Sequence, residues 1–461
     1  IFNNTQGRIL LPLPAIKNTK ILKAYDNAKT SFWFTPCLIL SLTILSCMSL
    51  LFIDLYAGLN SLNWLSFLYH ADASITRDLL TTVASSVMTV VSITFSITIV
   101  ALTNASSQFG PRLIRNFMED SSTQVVLGVF ISLFVYCLIL VRTTDNFAGG
   151  AFLPGLTIAG AIAMTLFGIL LLIYFIHHVS LNLQSDSVID DVYTELQYSI
   201  NQIFKLQKEE EDTCSSADKK QAQTSKQIEN SCKQFQFKSH SCGYIQAINY
   251  ADLTDIMSKL DSSLSVSVKP GDFVVNRMVV MTSDIKHISA EDEKTLHECF
   301  TLGPKRTPIQ DPEFAVHQLV EIALRALSPG INDPYSAIAC IDKLTAAICD
   351  LTQKSFPEGI TYDEEGVQRI TYKTTSFQNL ANIAFDQIRQ HSQSYLAIQL
   401  RQLEGLIRIA EQANHPTHWS FVRHQKLMIE HGLEQQPLLI DLDKKETSIR
   451  LKALSKLLES T

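Results

Sequence analysis

Four long apolar runs dominate the first 180 residues of the chain. A helix needs about 20 consecutive apolar residues to cross the hydrocarbon core of a bilayer, and each run has about that length. Asp54, near the end of the first run, is the single clearly ionisable residue inside them. The pattern predicts an α-helical membrane domain, residues 36–180, with four transmembrane helices at about 36–56, 79–102, 123–141 and 151–176.

The charged residues between the runs predict how the chain crosses the membrane. Lys and Arg accumulate in the cytoplasmic loops of membrane proteins. The leader, residues 1–35, contains five of them and the 104–121 loop contains two, whereas the loops 57–76 and 143–150 contain none. The leader and the 104–121 loop are therefore expected in the cytoplasm. Four crossings return the remainder of the chain to that side, so both termini are expected to be cytoplasmic.

Composition excludes several classes of protein. Of the 461 residues, 18% are charged and the formal net charge is -7. This balance argues against a dedicated nucleic-acid binder, because such proteins carry strongly basic surfaces. The nine cysteines include no C-x-x-C pair. They predict no disulfide framework, and they fit a reducing compartment for the second half of the chain.

The second apolar run carries a row of hydroxyl side chains. At 100° per residue, these side chains fall within about 40° of one line along a helix. They are compatible with close helix packing, with a water-filled path, or with a polar cleft for a lipid or small solute. One chain supplies one such row, so a pore would need several copies around an axis. The predicted pore-lining residues are Thr81, Ser85, Thr89, Ser92, Ser96, Thr103 and Ser107.

The second half of the chain predicts an α+β cytoplasmic region. Residues 181–240 are expected to form a juxtamembrane helix followed by a polar insert at 207–239. Alternation of apolar and polar residues then predicts a small barrel-sandwich-like β module at 241–300, with a turn at Pro270–Asp272. Apolar residues spaced by three and four predict a helical bundle over residues 301–461.

A short loop between two predicted helices has two interpretations. Ser328, Pro329 and Gly330 end one helix, and Asp333 with Pro334 begins the next as N-cap and first residue. Capping alone explains these residues. The alternative is a loop that binds an anionic regulator through free N–H groups at the helix start. The residues predicted for that weaker ligand-site hypothesis are Lys305, Arg306, Arg325, Asn332 and Asp333.

Motifs of known chemistry are absent from the sequence. It contains no G-x-S-x-G, H-E-x-x-H, G-x-G-x-x-G or G-x-x-x-x-G-K-[ST] motif. The histidines of H-P-T-H, residues 415–418, are expected to be solvated or to cap a helix rather than to bind zinc. The chain is therefore expected not to be an enzyme and to need no cofactor or metal.

Three stretches resemble a family of bacterial inner-membrane proteins, domain of unknown function 2254. They are FSITIVALTNASSQFGPR at 95–112, GYIQAI at 243–248 with PGDFV at 270–274, and RTPIQDPEFAVHQLVEIALRALSPGINDPYSA at 306–337. The resemblance implies a multi-span protein of the bacterial inner membrane with a large C-terminal region. It implies no established activity, so no residue inherits a role from it.

The leading hypothesis is an oligomeric ion channel, or a channel-like pore, lined by the Ser/Thr face of the second span. The cytoplasmic region would form a vestibule or sensor. The expected partners are the lipid bilayer, further copies of the chain and inorganic ions, but no nucleic acid. The alternatives are a non-conducting membrane scaffold or regulator that presents a cytoplasmic binding domain, and a small-solute transporter.

Overall fold

The computed structural model divides the chain into two compact units, Ile1–Gln184 and Ser185–Thr461, called here the N-terminal and C-terminal units. Most of the predicted leader and residues 215–234 of the predicted insert lie outside the described residues. The structure describes residues 33–57, 73–110, 121–144, 154–182, 184–214, 235–285, 288–308, 310–435 and 440–459.

In the described part of the N-terminal unit there are four long helices, and each is long and apolar enough to cross a membrane. This confirms the number of candidate spans. The second helix has 37 residues, about 55 Å of helix, so it is longer than the hydrocarbon core of about 30 Å and extends beyond the predicted span 79–102. The helices are α1 (Phe34–Ala57), α2 (Ala73–Phe109), α3 (Ser121–Thr144) and α4 (Gly155–Asn182).

Helix α3 is the centre of the N-terminal unit. It packs against α1, α2 and α4, and its Phe130, Leu133 and Leu140 are buried in the shared apolar core. A side chain at Gly128 would place its Cβ 3.0 Å from the Cα of Pro36 on α1. Glycine therefore permits this close approach of the two backbones, as small residues do between membrane helices.

The described residues of the C-terminal unit form two β-sheets. A five-stranded sheet has the order β1-β5-β3-β8-β7, and a three-stranded sheet has the order β4-β2-β6. The strand pairs are antiparallel except β3 with β8, in which Leu264 lies opposite Ile370. The strands are β1 (Phe235–Lys238), β2 (Gly243–Ile248), β3 (Leu264–Val266), β4 (Phe273–Val274), β5 (Val279–Ser283), β6 (Phe300–Gly303), β7 (Ile360–Tyr362) and β8 (Gln368–Tyr372).

The β structure differs from the module predicted at 241–300. Both sheets contribute to one apolar core, which includes Phe237, Ile245, Val266 and Ile370. Strand β1 precedes the predicted module, and β7 and β8 come from the region predicted to be helical. The barrel-sandwich detail is not confirmed. Short strands that pair with partners about 100 residues away leave little local signal, because the pairing is a property of the tertiary fold.

Helices complete the C-terminal unit, as predicted from the spacing of apolar residues. The first of them packs against α8 and α9, and buries Val188, Val192, Leu196 and Ile200. The helices are α5 (Ser185–Cys214), α6 (Tyr250–Lys259), α7 (Ala290–Glu298), α8 (Pro312–Ala326), α9 (Pro334–Thr352), α10 (Phe377–His391), α11 (Leu396–Gln412), α12 (Pro416–Glu434) and α13 (Asp441–Glu459).

Candidate functional site

Helix α2 has two faces of different chemistry. Leu80, Ala84 and Val87 lie on one side and are buried in the core shared with α3. Thr94 and Ala105 are also buried. At 100° per residue they fall on the same side as this contact. Close packing between α2 and its neighbour therefore uses the face opposite to the hydroxyl row.

The hydroxyl row faces outward from the single subunit. No member of the row is buried against another described helix, although its first half, from Thr81 to Ser92, borders a groove beside α3. The residues concerned, all exposed, are those predicted from the sequence: Thr81, Ser85, Thr89, Ser92, Ser96, Thr103 and Ser107.

Most of these hydroxyls bond to their own helix. Thr81, Ser85 and Thr103 donate to the carbonyl oxygen four residues earlier at 2.8, 2.9 and 2.8 Å. Thr89 and Ser92 do the same at 3.1 and 3.0 Å. A hydroxyl has one donor and two acceptor lone pairs, so these bonds use the donor and leave acceptor capacity on the oxygen. The exposed face of α2 is therefore richer in acceptors than in donors.

A groove of about 470 Å³ runs between α2 and α3. One wall carries hydroxyls of the row, among them Ser85, Thr89 and Ser92, and the other is apolar, with Phe134 and Leu138 of α3. A groove with one polar and one apolar wall can accept a helix or an amphipathic molecule, or it can border an aqueous path.

Asp54, singled out in the sequence, joins two spans. Its carboxylate accepts hydrogen bonds from the Leu156 and Thr157 backbone N–H groups at 3.2 and 2.9 Å, and from the Thr157 hydroxyl at 2.6 Å. Two of the free N–H groups at the start of α4 are thus satisfied by a side chain from the end of α1. Tyr136 of α3 donates to the Thr157 carbonyl oxygen at 2.9 Å, so three helices meet at this point.

Arg306, predicted as an anion ligand, is engaged within the fold. Its Nε and Nη2 donate to the two oxygens of Asp311 at 2.7 and 2.9 Å. The Asp311 side chain is 2% exposed, and it also accepts from the Phe314 N–H as the N-cap of α8. Burial raises the pKa of the Asp311 carboxyl, and the bonds from Arg306 oppose that rise. Lys305 is exposed and close in sequence.

The remaining predicted ligand residues lie at the other end of α8. Asp333 caps α9, accepting from the Ser336 N–H at 3.2 Å and from its hydroxyl at 2.6 Å, which confirms the predicted N-cap. Arg325 forms an ion pair with Glu321 at 3.6 Å. The 15 residues of α8 span about 22 Å, so the structure does not bring Arg306 together with Arg325 and Asn332.

Two contacts were missed by sequence reasoning. Lys269, just before the predicted turn, forms an ion pair with Glu313 of α8, and Gly271 lies against the Asp311 carboxylate. The D-P-E sequence at 311–313 resembles the D-P pair that begins α9. It could have identified Asp311 as the N-cap of α8, but not the contacts of this region with Arg306, Lys269 and Gly271. Among the described residues, no three His, Cys, Asp or Glu side chains gather to hold a metal ion.

A comparison with protein families tests the resemblance noted for the stretches at 95–112, 243–274 and 306–337. The family described as a predicted membrane protein, DUF2254, matches residues 29–408, which include all four candidate spans and both sheets. The chain belongs to this family. As a DUF2254 protein it is a predicted membrane protein, in agreement with its four long apolar helices.

Mycobacterial proteins are similar to this chain in sequence. Uncharacterized proteins of Mycobacterium bovis and Mycobacterium tuberculosis are each 28% identical to the DUF2254 chain over 367 residues. The match covers 78% of this chain and 68% of each relative. No solved structure matches the chain.

Proposed function

We propose that this protein is an oligomeric, cation-conducting channel, and not an enzyme, in which the hydroxyl row of α2 lines the path. The observation that carries the proposal is the exposure of the whole row on the outside of one subunit, opposite to the face that packs on α3. Further copies of the chain, arranged around an axis, would enclose the row and provide the polar surroundings that lipid lacks.

The hydrogen bonds of the row favour cations over anions. Thr81, Ser85, Thr89 and Ser92 donate to carbonyl oxygens of α2, which leaves acceptor lone pairs for a passing ion. Oxygen acceptors can replace part of the hydration shell of a cation.

Conductance measured in planar bilayers tests the proposal. The purified protein should conduct. Across a salt gradient, its reversal potential should lie nearer to the equilibrium potential of the cation than to that of the anion. Ser92→Leu combined with Ser96→Leu should abolish most of the current, because two adjacent turns of the path lose their oxygens.

A matched control is available on another span. Ser41 of α1 is exposed and donates to the Cys37 carbonyl oxygen at 2.8 Å, as the residues of the row do on α2. Ser41→Leu should leave the current unchanged. A parent protein that stays silent under voltage, membrane tension and varied salt would overturn the channel and favour the non-conducting scaffold.

A further inference from the structure

The groove between α2 and α3 offers hydrogen-bond acceptors but no free donors. Its polar wall consists of four hydroxyls, each of which already donates to a carbonyl oxygen of its own helix. The distances are 2.8 and 2.9 Å for Thr81 and Ser85, and 3.1 and 3.0 Å for Thr89 and Ser92. A hydroxyl has one proton to donate, but its oxygen can also accept. A molecule in the groove therefore meets oxygens that can accept a proton from it, and no lining hydroxyl has a proton left to offer.

The rest of the lining is apolar and adds no donor. Phe134, Leu138 and Val141 of α3 form the facing wall, and Ala84 and Met88 of α2 complete the lining. The face of a phenyl ring attracts cations, and a thioether sulfur is a weak acceptor. None of these lining residues is charged. The groove thus offers nothing to a carboxylate or a phosphate, and it suits a positively charged donor that is joined to an apolar body.

The size of the groove and its place along α2 fit a small amphiphile. Its volume of about 470 Å³ lies in the range of pockets that hold drug-sized molecules, about 300–1,000 Å³. Thr81 is the lining residue nearest to the start of α2 at Ala73. In a helix that crosses the membrane, this end of the groove is the one nearer to a surface, where a charged group costs least. A charged head is therefore best placed beside Thr81, with its apolar chain directed along α2 towards Ser92.

We propose that this groove binds amphiphiles that carry a primary ammonium group, one molecule per subunit. The ammonium donates to hydroxyl oxygens of the row, those of Thr81 and Ser85, and the alkyl chain packs against Phe134 and Leu138. Three N–H protons on one nitrogen match acceptors on neighbouring turns of α2, whereas a neutral alcohol has one proton. Both walls of the groove belong to the same subunit, so binding depends neither on conduction nor on assembly.

Native mass spectrometry of the full chain in a neutral detergent counts the bound molecules. The probe is dodecylamine, which is protonated at pH 7 like the Lys side chain. One amine should bind per chain, and the site should saturate. Dodecyltrimethylammonium has the same charge and chain length but no N–H proton. It should bind about ten-fold more weakly, as expected for the loss of one hydrogen bond from a charged donor. Dodecanoate, an anion that can only accept, should not bind in the groove.

Substitutions on the hydroxyl row locate the site. Thr81→Val combined with Thr89→Val removes two acceptors from the groove at nearly constant side-chain size, and should weaken dodecylamine binding about ten-fold. Thr103→Val is the matched control. Thr103 belongs to the same row and donates to the Ile99 carbonyl oxygen at 2.8 Å, but it does not line the groove. Its replacement should leave the affinity unchanged. The comparison of the two amines uses the parent protein, so it stands even if a variant unfolds.

Two results would overturn the proposal. Equal affinities for dodecylamine and its trimethylated analogue would show that hydrogen bonding does not select the ligand. Equal binding of dodecylamine by the parent and by the folded Thr81→Val, Thr89→Val protein would place the amine elsewhere. The outcome is independent of the channel proposal. A protein that binds the amine in the expected pattern and carries no current refutes the channel alone, and a protein that conducts without such binding refutes the groove alone.

Discussion

Arg306 and Asp311 face each other across five residues of chain and share two hydrogen bonds of 2.7 and 2.9 Å. The sequence predicts Arg306 as a ligand for an external anion, but its guanidinium group is already paired with the Asp311 carboxylate of the same chain. The pair also carries further contacts: Asp311 caps α8, and Arg306 Nη2 lies 3.9 Å from Glu313, the partner of Lys269. This network connects the turn before β4 to the first helix of the bundle.

Replacing Arg306 by Leu should destabilise the protein strongly. Asp311 is buried, and a buried charge that loses its partner costs about 3–5 kcal/mol. Proton uptake by Asp311 limits that cost, so we expect about 3 kcal/mol, measured by thermal unfolding of the full chain in detergent. Adding Asp311→Asn should recover part of the loss, because Asn is neutral and still caps the helix. If Arg306→Leu alone is as stable as the parent, the ion pair contributes little to the free energy of unfolding.

Asp54→Ala should weaken the attachment of α1 to α4. The substitution leaves the Leu156 and Thr157 N–H groups without their acceptor, and losing a helix cap costs about 0.5–2 kcal/mol. The melting temperature in detergent should fall accordingly. Asp54→Asn retains an oxygen acceptor and should lie between Ala and the parent. Equal melting temperatures for all three proteins would contradict a capping role.

Acidification should destabilise the β region through His297. Burial and the neighbouring His240, whose ring centroid is 4.4 Å away, lower the pKa of His297, while Glu293 opposes them. The folded protein therefore binds fewer protons at this site than the unfolded chain. Stability is fully present above the unfolded pKa of about 6.5 and is lost as pH falls from there towards the lower folded pKa.

The change of melting temperature between about pH 8 and pH 5 checks this sign. His297→Leu should flatten the decline. A residual slope is expected because burial and His415 also lower the pKa of His418. Glu293→Gln removes the group that opposes the shift and should steepen the decline. The interpretation would not survive an unchanged slope in both variants.

Several structural elements could be predicted from local sequence patterns alone. The four candidate spans follow from uninterrupted apolar runs, because a helix satisfies its own backbone hydrogen bonds and its apolar side chains are compatible with the hydrocarbon core. The N-cap at Asp333 follows from a D-P pair at a helix start, and the buried positions of α5 follow from apolar residues spaced by three and four. In each case the physical cause acts within a few turns of chain, so the sequence displays it directly.

The sequence predicts only part of the arrangement of the α2 hydroxyls. Helical periodicity places Ser85, Ser92 and their companions on one line, but it cannot say what that line faces. The packing of Leu80 and Val87 on α3 decides that the row is on the outside of the subunit. The sequence therefore supplied the row, and its exposure came from the neighbouring helix.

The sequence by itself determined the apolar spans, the helix caps and the composition of each helix face, because these depend on residues near one another in the chain. Only the tertiary structure decided that Arg306 is bound to Asp311, that β3 lies beside β8, and that α9 runs parallel to α5. Those relationships depend on which distant segments share a core, and side-chain periodicity carries no information about the partner.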